Sequence, residues 1–250
     1  MNLDHEHTKT VRSIAFNESG SMVALGSFDS TISIWKFDED SGYDCITILE
    51  GHENEVKSVE FHPHENLLSS ASRDKLIWIW DYDEDLEFEC FDSLSGHSND
   101  VKMARWIPSP NNNSKELATA SYDESIKIWD LDEDQTYYCK QTINCHSNIV
   151  WALVFNSLGT IMVSASEDKT MRVFERQGTG EEFQISCTLS GYHERAIYSI
   201  DLKDYSEDEY IVASVGGDDT LAVYKLMRGD MDTMTHESIA KEVKLLFYLF

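Results

Sequence analysis

Basic residues are scarce: 20 Lys and Arg stand against 46 Asp and Glu in 250 residues, a formal charge of −26. That balance argues against sequence-independent binding to nucleic acid phosphates or to an anionic membrane surface, and favours basic or uncharged partners. Long apolar runs are missing as well. The opening MNLDHEHTKT has neither a basic lead nor an apolar core, so no signal peptide is expected. The one apolar stretch, Val243 to Phe250, contains Lys244 and is too short to span a bilayer. Five cysteines in this context suggest a reducing compartment, and a cytoplasmic location with access to the nucleus is expected. Also missing are a nucleophile elbow, a phosphate-cradling glycine loop and paired carboxylates on one cleft, so no catalysis is expected.

What the chain does have is a repeat. His7, His52, His97, His146 and His193 lie 45, 45, 49 and 47 residues apart. Val11, Val56, Val101, Val150 and Ile197 follow them at +4. Asp29, Asp74, Asp123, Asp168 and Asp218 come 22 to 26 residues after each His, and six residues later stand Trp35, Trp80, Trp129, Phe174 and Tyr224. A period in the forties with GH and WD-type marks is the signature of four-stranded propeller blades. The expected fold is an all-β WD40 β-propeller, partial, with five recognisable blades over residues 5–226. Residues 227–250 are read as a divergent tail in which His236, 43 residues after His193, could open a sixth unit.

Within the second unit, VKSVEF, NLLSSAS, LIWIW and FECFDSL are the four predicted strands: short, rich in Val, Ile and aromatics, and broken by polar turns. NNNS at 111–114 and KDYSEDE at 203–209 read as inserted hairpin tips. The repeated polar residues are expected to form buried chains. The Asp accepts from the His, the His bonds the Ser two residues before the Asp (Ser27, Ser72, Ser121, Ser166), and that Ser reaches the Trp indole. Structural sets are thus His52, Ser72, Asp74 and Trp80, and His97, Ser121, Asp123 and Trp129. The fourth and fifth units lack the indole, and Gly216 replaces the Ser, so these blades are expected to be held less firmly.

The acidic runs Asp38–Asp40, Asp81–Asp85 and Asp130–Asp134 read as a solvated outer rim. Cys45, Cys90, Cys139 and Cys187 recur six or seven residues before successive His residues, yet the repeat puts each on a different outer strand, so no metal or cluster site is expected. Asp4-His5-Glu6-His7 and His62-Pro63-His64 resemble ligands only in composition. What remains for function is the mouth of the array, where such repeats grip partners by the residue after the +4 apolar position and the residue before the Asp. The first set is Arg12, Lys57, Lys102, Trp151 and Tyr198; the second is Phe28, Arg73, Tyr122, Glu167 and Gly217. Arg and aromatic side chains suit binding hot spots.

The segments GSFDSTISIW, EGHENEVKSVEF, SRDKLIWIW, GHSNDVKMARW, SYDESIKIWD, CHSNIVWALVF and ASVGGDDTLAVY together resemble the WD40 subunit of the cytosolic iron–sulfur protein assembly (CIA) targeting complex, with acidic loops like those of a fungal member. The resemblance implies a seven-bladed parent fold, of which this sequence shows five blades and neither closing partner. It implies a non-enzymatic adaptor without a cofactor of its own. The implied partners are a MIP18-type subunit, a HEAT-repeat scaffold, an iron-hydrogenase-like cluster carrier and iron–sulfur client proteins. It also places a functionally important exposed arginine at Arg73. A generic WD40 interaction module, such as a ubiquitin-ligase substrate receptor, is the alternative.

Overall fold

The computed structural model describes residues 6–111, 114–206, 208–228 and 234–241, with side chains through residue 228. Among these residues, twenty strands form five four-stranded antiparallel sheets, each built from consecutive strands. Sheet 1 holds β1 (Val11–Phe16), β2 (Met22–Ser27), β3 (Ile32–Asp38) and β4 (Gly42–Leu49). Sheet 2 holds β5 (Val56–Phe61), β6 (Leu67–Ser72), β7 (Leu76–Tyr82) and β8 (Phe88–Ser95). Sheet 3 holds β9 (Val101–Trp106), β10 (Leu117–Ser121), β11 (Ser125–Leu131) and β12 (Tyr137–Asn144). Sheet 4 holds β13 (Val150–Phe155), β14 (Ile161–Ser166), β15 (Met171–Glu175) and β16 (Gln184–Leu189). Sheet 5 holds β17 (Ile197–Ser206), β18 (Glu209–Gly216), β19 (Leu221–Arg228) and β20 (Met234–Lys241).

The expected all-β blade pattern is therefore present, with one difference at the end. The fourth strand of sheet 5 comes from the stretch read as a tail, and His236 pairs with Leu226 inside that strand. His236 thus lies inside a strand, whereas the other repeat histidines lie in the loops before a first strand. A strand can be recruited despite a divergent sequence because ladder hydrogen bonds come from the backbone, not the side chains. The insertion at 203–209 lengthens the β17–β18 hairpin, with Asp204 opposite Tyr210; residues 112–113 of the other lie outside the described residues.

The chain divides into two compact units. Sheets 1–3 make up the first (Met1–Trp106 with Lys115–Thr142), and sheets 4 and 5 the second (Ile107–Ser114 with Ile143–Phe250). In the first unit, neighbouring sheets pack face to face. Met22, Ala24, Ile32 and Ile34 of sheet 1 bury Val56, Val59 and Phe61 of β5 in one cluster, and Ile77, Ile79 and Leu94 of sheet 2 meet Val101, Ala104 and Trp106 of β9 in the next. The approach is close at Gly26: a Cβ there would lie 2.8 Å from a Val56 methyl. Polar links cross both seams. Ser13 Oγ accepts from Val59 N–H at 3.1 Å, and Glu60 accepts from Trp106 N–H and Arg105, each at 2.7 Å.

The first strand of every sheet departs from two-residue alternation at the same place. Val56 pairs with Ser72 and Ser58 with Ala71, so Lys57 is an extra residue between them. The same shift isolates Arg12, Lys102, Trp151 and Tyr198. A bulge of this kind bends the strand and turns the extra side chain away from the pleat. Its sequence trace is the apolar spacing of three then two, as in Val56, Val59 and Phe61, where a regular strand gives two and two.

Candidate protein-binding surface

The turn between the second and third strands is equally constant. Ser30, Lys75, Glu124, Lys169 and Asp219, each just after the repeat Asp, have φ between 58° and 79°. Ser30 N–H bonds the Ser27 carbonyl, so residues 27–30 form a tight turn that ends in a left-handed residue. None of the five is glycine, and a left-handed non-glycine residue costs on the order of 1 kcal/mol or more. The Asp side chain holds the turn in that form: Asp74 accepts from Leu76 N–H at 2.9 Å and from Glu53 N–H at 3.0 Å.

The buried polar chain runs through a different hydroxyl from the one expected. His52 Nδ1 donates to Asp74 at 2.7 Å, which leaves Nε2 to accept from Ser70 Oγ at 2.8 Å, and Trp80 Nε1 donates to Ser70 at 3.0 Å. The His97 set uses Thr119, at 2.7 Å from His97 and 2.9 Å from Trp129. Ser72 and Ser121 are therefore not the His partners. They sit at strand ends, where each accepts from the backbone N–H of its Asp and donates to a loop carbonyl, Asn54 and Asp100 respectively. The two serines share a face because they are two apart, but only the one deeper in the strand lies level with the indole.

In sheet 1 the hydroxyl has crossed the ladder. Leu25 occupies the position of Ser70, and Ser33, directly opposite Leu25, takes the bonds from His7 (2.9 Å) and Trp35 (2.8 Å). Directly opposed residues face the same side of a sheet, so either can serve. In sheets 4 and 5 the indole is absent, yet His146 still joins Asp168 (2.8 Å) and Ser164 (2.7 Å), and His193 joins Asp218 (3.1 Å) and Ser214 (2.8 Å). Gly216 is required there, since a Cβ would come within 2.7 Å of His193 Nδ1. Burial raises these carboxyl pKa values, but hydrogen bonds from hydroxyl, imidazole and backbone N–H groups outweigh it. Asp29 is held down at about 2, and Asp74, Asp123, Asp168 and Asp218 are lowered too.

These devices present the candidate binding residues. The N–H of Phe28, Arg73, Tyr122, Glu167 and Gly217 donates to the carbonyl of the residue before the +4 apolar position (Thr10, Glu55, Asp100, Ile149 and Ala196) at 2.8–3.0 Å. Turn residue and bulge residue are thereby pinned side by side in every sheet. In the first unit this brings Phe28, Lys57, Arg73, Lys102 and Tyr122 into one charged and aromatic group. Lys57 Nζ lies 4.1 Å from the Phe28 ring, and Lys102 Nζ 5.1 Å from the Tyr122 ring and 3.1 Å from Asp100. Burial lowers the Lys57 pKa, and Lys102 and Arg73 act in the same direction. Arg73 is half exposed and pairs with Glu55 at 3.0 Å. Arg12, on its bulge in β1, is exposed. In the second unit, Trp151 and Tyr198 meet edge to face at 5.4 Å, and Trp151 Nε1 donates to Glu167 at 2.7 Å.

Glu55 and Asp100 belong to this surface and were not among the expected residues. Each stands two residues before a bulge lysine, and that Glu-x-Lys or Asp-x-Lys spacing is the trace they leave in the sequence. Burial opposes ionisation of Glu55, but a backbone N–H, Arg73 and Lys57 hold its pKa below the ordinary value.

Among the described residues, no group of three or more His, Cys, Asp or Glu side chains is gathered as metal ligands. Cys45, Cys90, Cys139 and Cys187 lie one each on β4, β8, β12 and β16. His62 is committed to its turn, accepting from His64 and Glu65 N–H at 3.1 and 2.9 Å. No helix among the described residues is long and apolar enough to cross a membrane.

A repeated four-stranded sheet with a His–Asp–hydroxyl chain in each copy defines a WD40 repeat protein. The WD domain, G-beta repeat family matches residues 3–36, 43–81, 88–130 and 137–175, more than half of the chain, and the chain belongs to that family. Sheet 5 lies beyond the matched residues but repeats the same pattern. More specifically, the chain is 36% identical over 106 residues to a protein of Culex quinquefasciatus named probable cytosolic iron-sulfur protein assembly protein Ciao1, covering 37% of this chain and 30% of that protein. It is 48% identical over 59 residues to the probable cytosolic iron-sulfur protein assembly protein 1 of Kluyveromyces lactis, covering 20% and 17%. It is 49% identical over 49 residues to protein CIA1 of Arabidopsis thaliana, covering 20% and 14%. The matched stretches thus span at most 30% of the length of these relatives.

Proposed function

We propose that this chain acts as a non-enzymatic adaptor in cytosolic iron–sulfur protein assembly, helping to deliver clusters to cytosolic and nuclear apoproteins through protein contacts. The observation that carries the reading is the similarity to proteins of Culex quinquefasciatus and Kluyveromyces lactis named as probable cytosolic iron-sulfur protein assembly proteins. The five repeats expected over residues 5–226 would serve as its binding array. Its partners on this reading are a MIP18-type subunit, a HEAT-repeat scaffold, an iron-hydrogenase-like cluster carrier and client proteins, and it holds no cluster of its own. Arg73 is the centre of the contact. Its backbone is pinned by the Glu55 carbonyl, which lowers the ordering cost of binding, and its guanidinium can meet a carboxylate with two parallel bonds. Phe28, Tyr122, Trp151 and Tyr198 supply aromatic surface, and Arg12, Lys57 and Lys102 favourable potential for an acidic partner segment.

The test is affinity purification of the tagged chain from cells under anaerobic conditions, with partners identified by mass spectrometry. Recovery of the MIP18-type and HEAT-repeat subunits, lost with Arg73→Glu, supports the proposal. Recovery of ubiquitin-ligase subunits in their place would establish the alternative.

A further inference from the structure

At the bulge and turn positions of sheets 1–3, four of the six residues are basic: Arg12, Lys57, Arg73 and Lys102. Sheet 3 shows how such a cation is held. Lys102 Nζ lies 5.1 Å from the centroid of the Tyr122 ring and 3.1 Å from the Asp100 carboxylate, so a ring and a carboxylate share one ammonium.

Sheets 4 and 5 belong to a single compact unit, and their bulge and turn residues include no base. Trp151 and Tyr198 stand on the bulges of β13 and β17, and Glu167 and Gly217 on the turns. Rings and a carboxylate are present, as in sheet 3, but the cation is not among these four residues. The two rings meet at 81° with centroids 5.4 Å apart, and Trp151 Nε1 donates to Glu167 Oε2 at 2.7 Å. Among the described residues of this unit, no Lys or Arg pairs with Glu167, which is half-buried. A Cβ on Gly217 would lie 3.1 Å from a Tyr198 ring carbon, so that ring rests against the turn backbone, and it is half exposed.

The faces of aromatic rings are negative, and a carboxylate drawn partly out of water is stabilised by an opposite charge. A carboxylate beside two rings set at right angles therefore favours a cation in the corner they form. We propose that this notch receives a lysine side chain from a basic segment of a partner protein.

Three observations support that occupant. The indole already engages Glu167 Oε2, so a guanidinium cannot take both carboxylate oxygens unopposed, whereas an ammonium needs only one acceptor. The apolar lysine stem can lie along the rings while its head meets Glu167. The turns are also pinned in advance, since Glu167 N–H donates to the Ile149 carbonyl at 2.9 Å and Gly217 N–H to the Ala196 carbonyl at 2.8 Å, which lowers the ordering cost of binding. The formal charge of −26 favours encounter with a basic segment. The site is separate from Arg73 and takes a ligand of the opposite charge, so it does not depend on a role in iron–sulfur protein assembly.

The experiment is a nuclear magnetic resonance titration of the whole chain, following the Trp151 indole N–H, assigned with Trp151→Phe. The probe is the peptide Gly-Ser-Gly-Lys-Gly-Ser-Gly, capped at both ends, alongside counterparts with arginine, norleucine or trimethyllysine at the centre. The lysine peptide should move the indole resonance saturably, the arginine peptide should bind severalfold more weakly, and the norleucine peptide should leave it in place. Added salt should weaken the lysine complex. Glu167→Gln keeps an acceptor for the indole, so the rings stay in place, yet it should weaken lysine binding severalfold, as should Tyr198→Leu; circular dichroism checks both folds. An indole resonance that the lysine peptide does not move would overturn the proposal. So would equal movement by the norleucine peptide, affinity unchanged by Glu167→Gln, or binding of the trimethyllysine or arginine peptide in preference to lysine. Because the probe contains no assembly subunit, its outcome is independent of the affinity purification above.

Discussion

Lys57 Nζ lies 4.1 Å from the centroid of the Phe28 ring, joining the bulge of sheet 2 to the turn of sheet 1. The pair ties two neighbouring sheets at the surface where binding is proposed. Its coupling, measured as a double-mutant cycle with Phe28→Leu and Lys57→Met, should be about 0.5–1 kcal/mol, the range for a partly exposed cation over an aromatic ring. A cycle that closes to zero would show that the two side chains are only adjacent.

The buried chains predict an order of damage that distinguishes the two serines. Ser70→Ala removes the partner of both His52 and Trp80, and should cost about 1–3 kcal/mol in urea unfolding. Asp74→Ala should cost at least as much, because it also frees the left-handed turn at Lys75. Ser72→Ala, which removes bonds only to turn backbone, should cost less than either. Equal losses for Ser70 and Ser72 would contradict this division of roles.

Acid sensitivity follows from the lowered Asp pKa values. A carboxyl held below its unfolded value stabilises the fold fully above that value, and the contribution disappears as pH falls towards the folded value. For Asp29 the window runs from the ordinary 3.8 down to about 2. Asp74, Asp123, Asp168 and Asp218 are shifted in the same direction, so the five losses accumulate below about pH 4. The urea midpoint should fall steeply there, and Asp123→Asn should flatten the slope. A midpoint independent of pH between about 5 and 3 would refute the linkage.

Arg73 and Glu55 form a partly exposed pair, open on the guanidinium side, and ion pairs that water still reaches stabilise little. Glu55→Gln should therefore change stability by less than about 1 kcal/mol while freeing the guanidinium for a partner carboxylate. Arg73→Glu should leave the melting temperature nearly unchanged and weaken binding of an acidic partner peptide by about 2 kcal/mol or more, as for a buried hot spot. Titration calorimetry of both variants separates the outcomes: a stronger Glu55→Gln and a weaker Arg73→Glu support the site, and unchanged affinities remove it.

The spacing of His, Asp and aromatic residues by itself marked the repeated four-stranded sheets. A four-stranded sheet is a local object, made from one stretch of about 45 residues whose pattern recurs. The residues that the turn and bulge present were legible for the same reason, since their positions are fixed relative to the repeat marks. Which hydroxyl bonds the histidine was not: Ser70 and Ser72 share a face, and Leu25 and Ser33 exchange roles across a ladder, so depth and cross-strand pairing decide. β20 was hidden because backbone pairing needs no repeat signature. The pairing of Arg73 with Glu55 and the cover of Lys57 over Phe28 were decided only by tertiary structure. Each depends on what another turn or sheet brings alongside, and one-dimensional spacing holds no record of that.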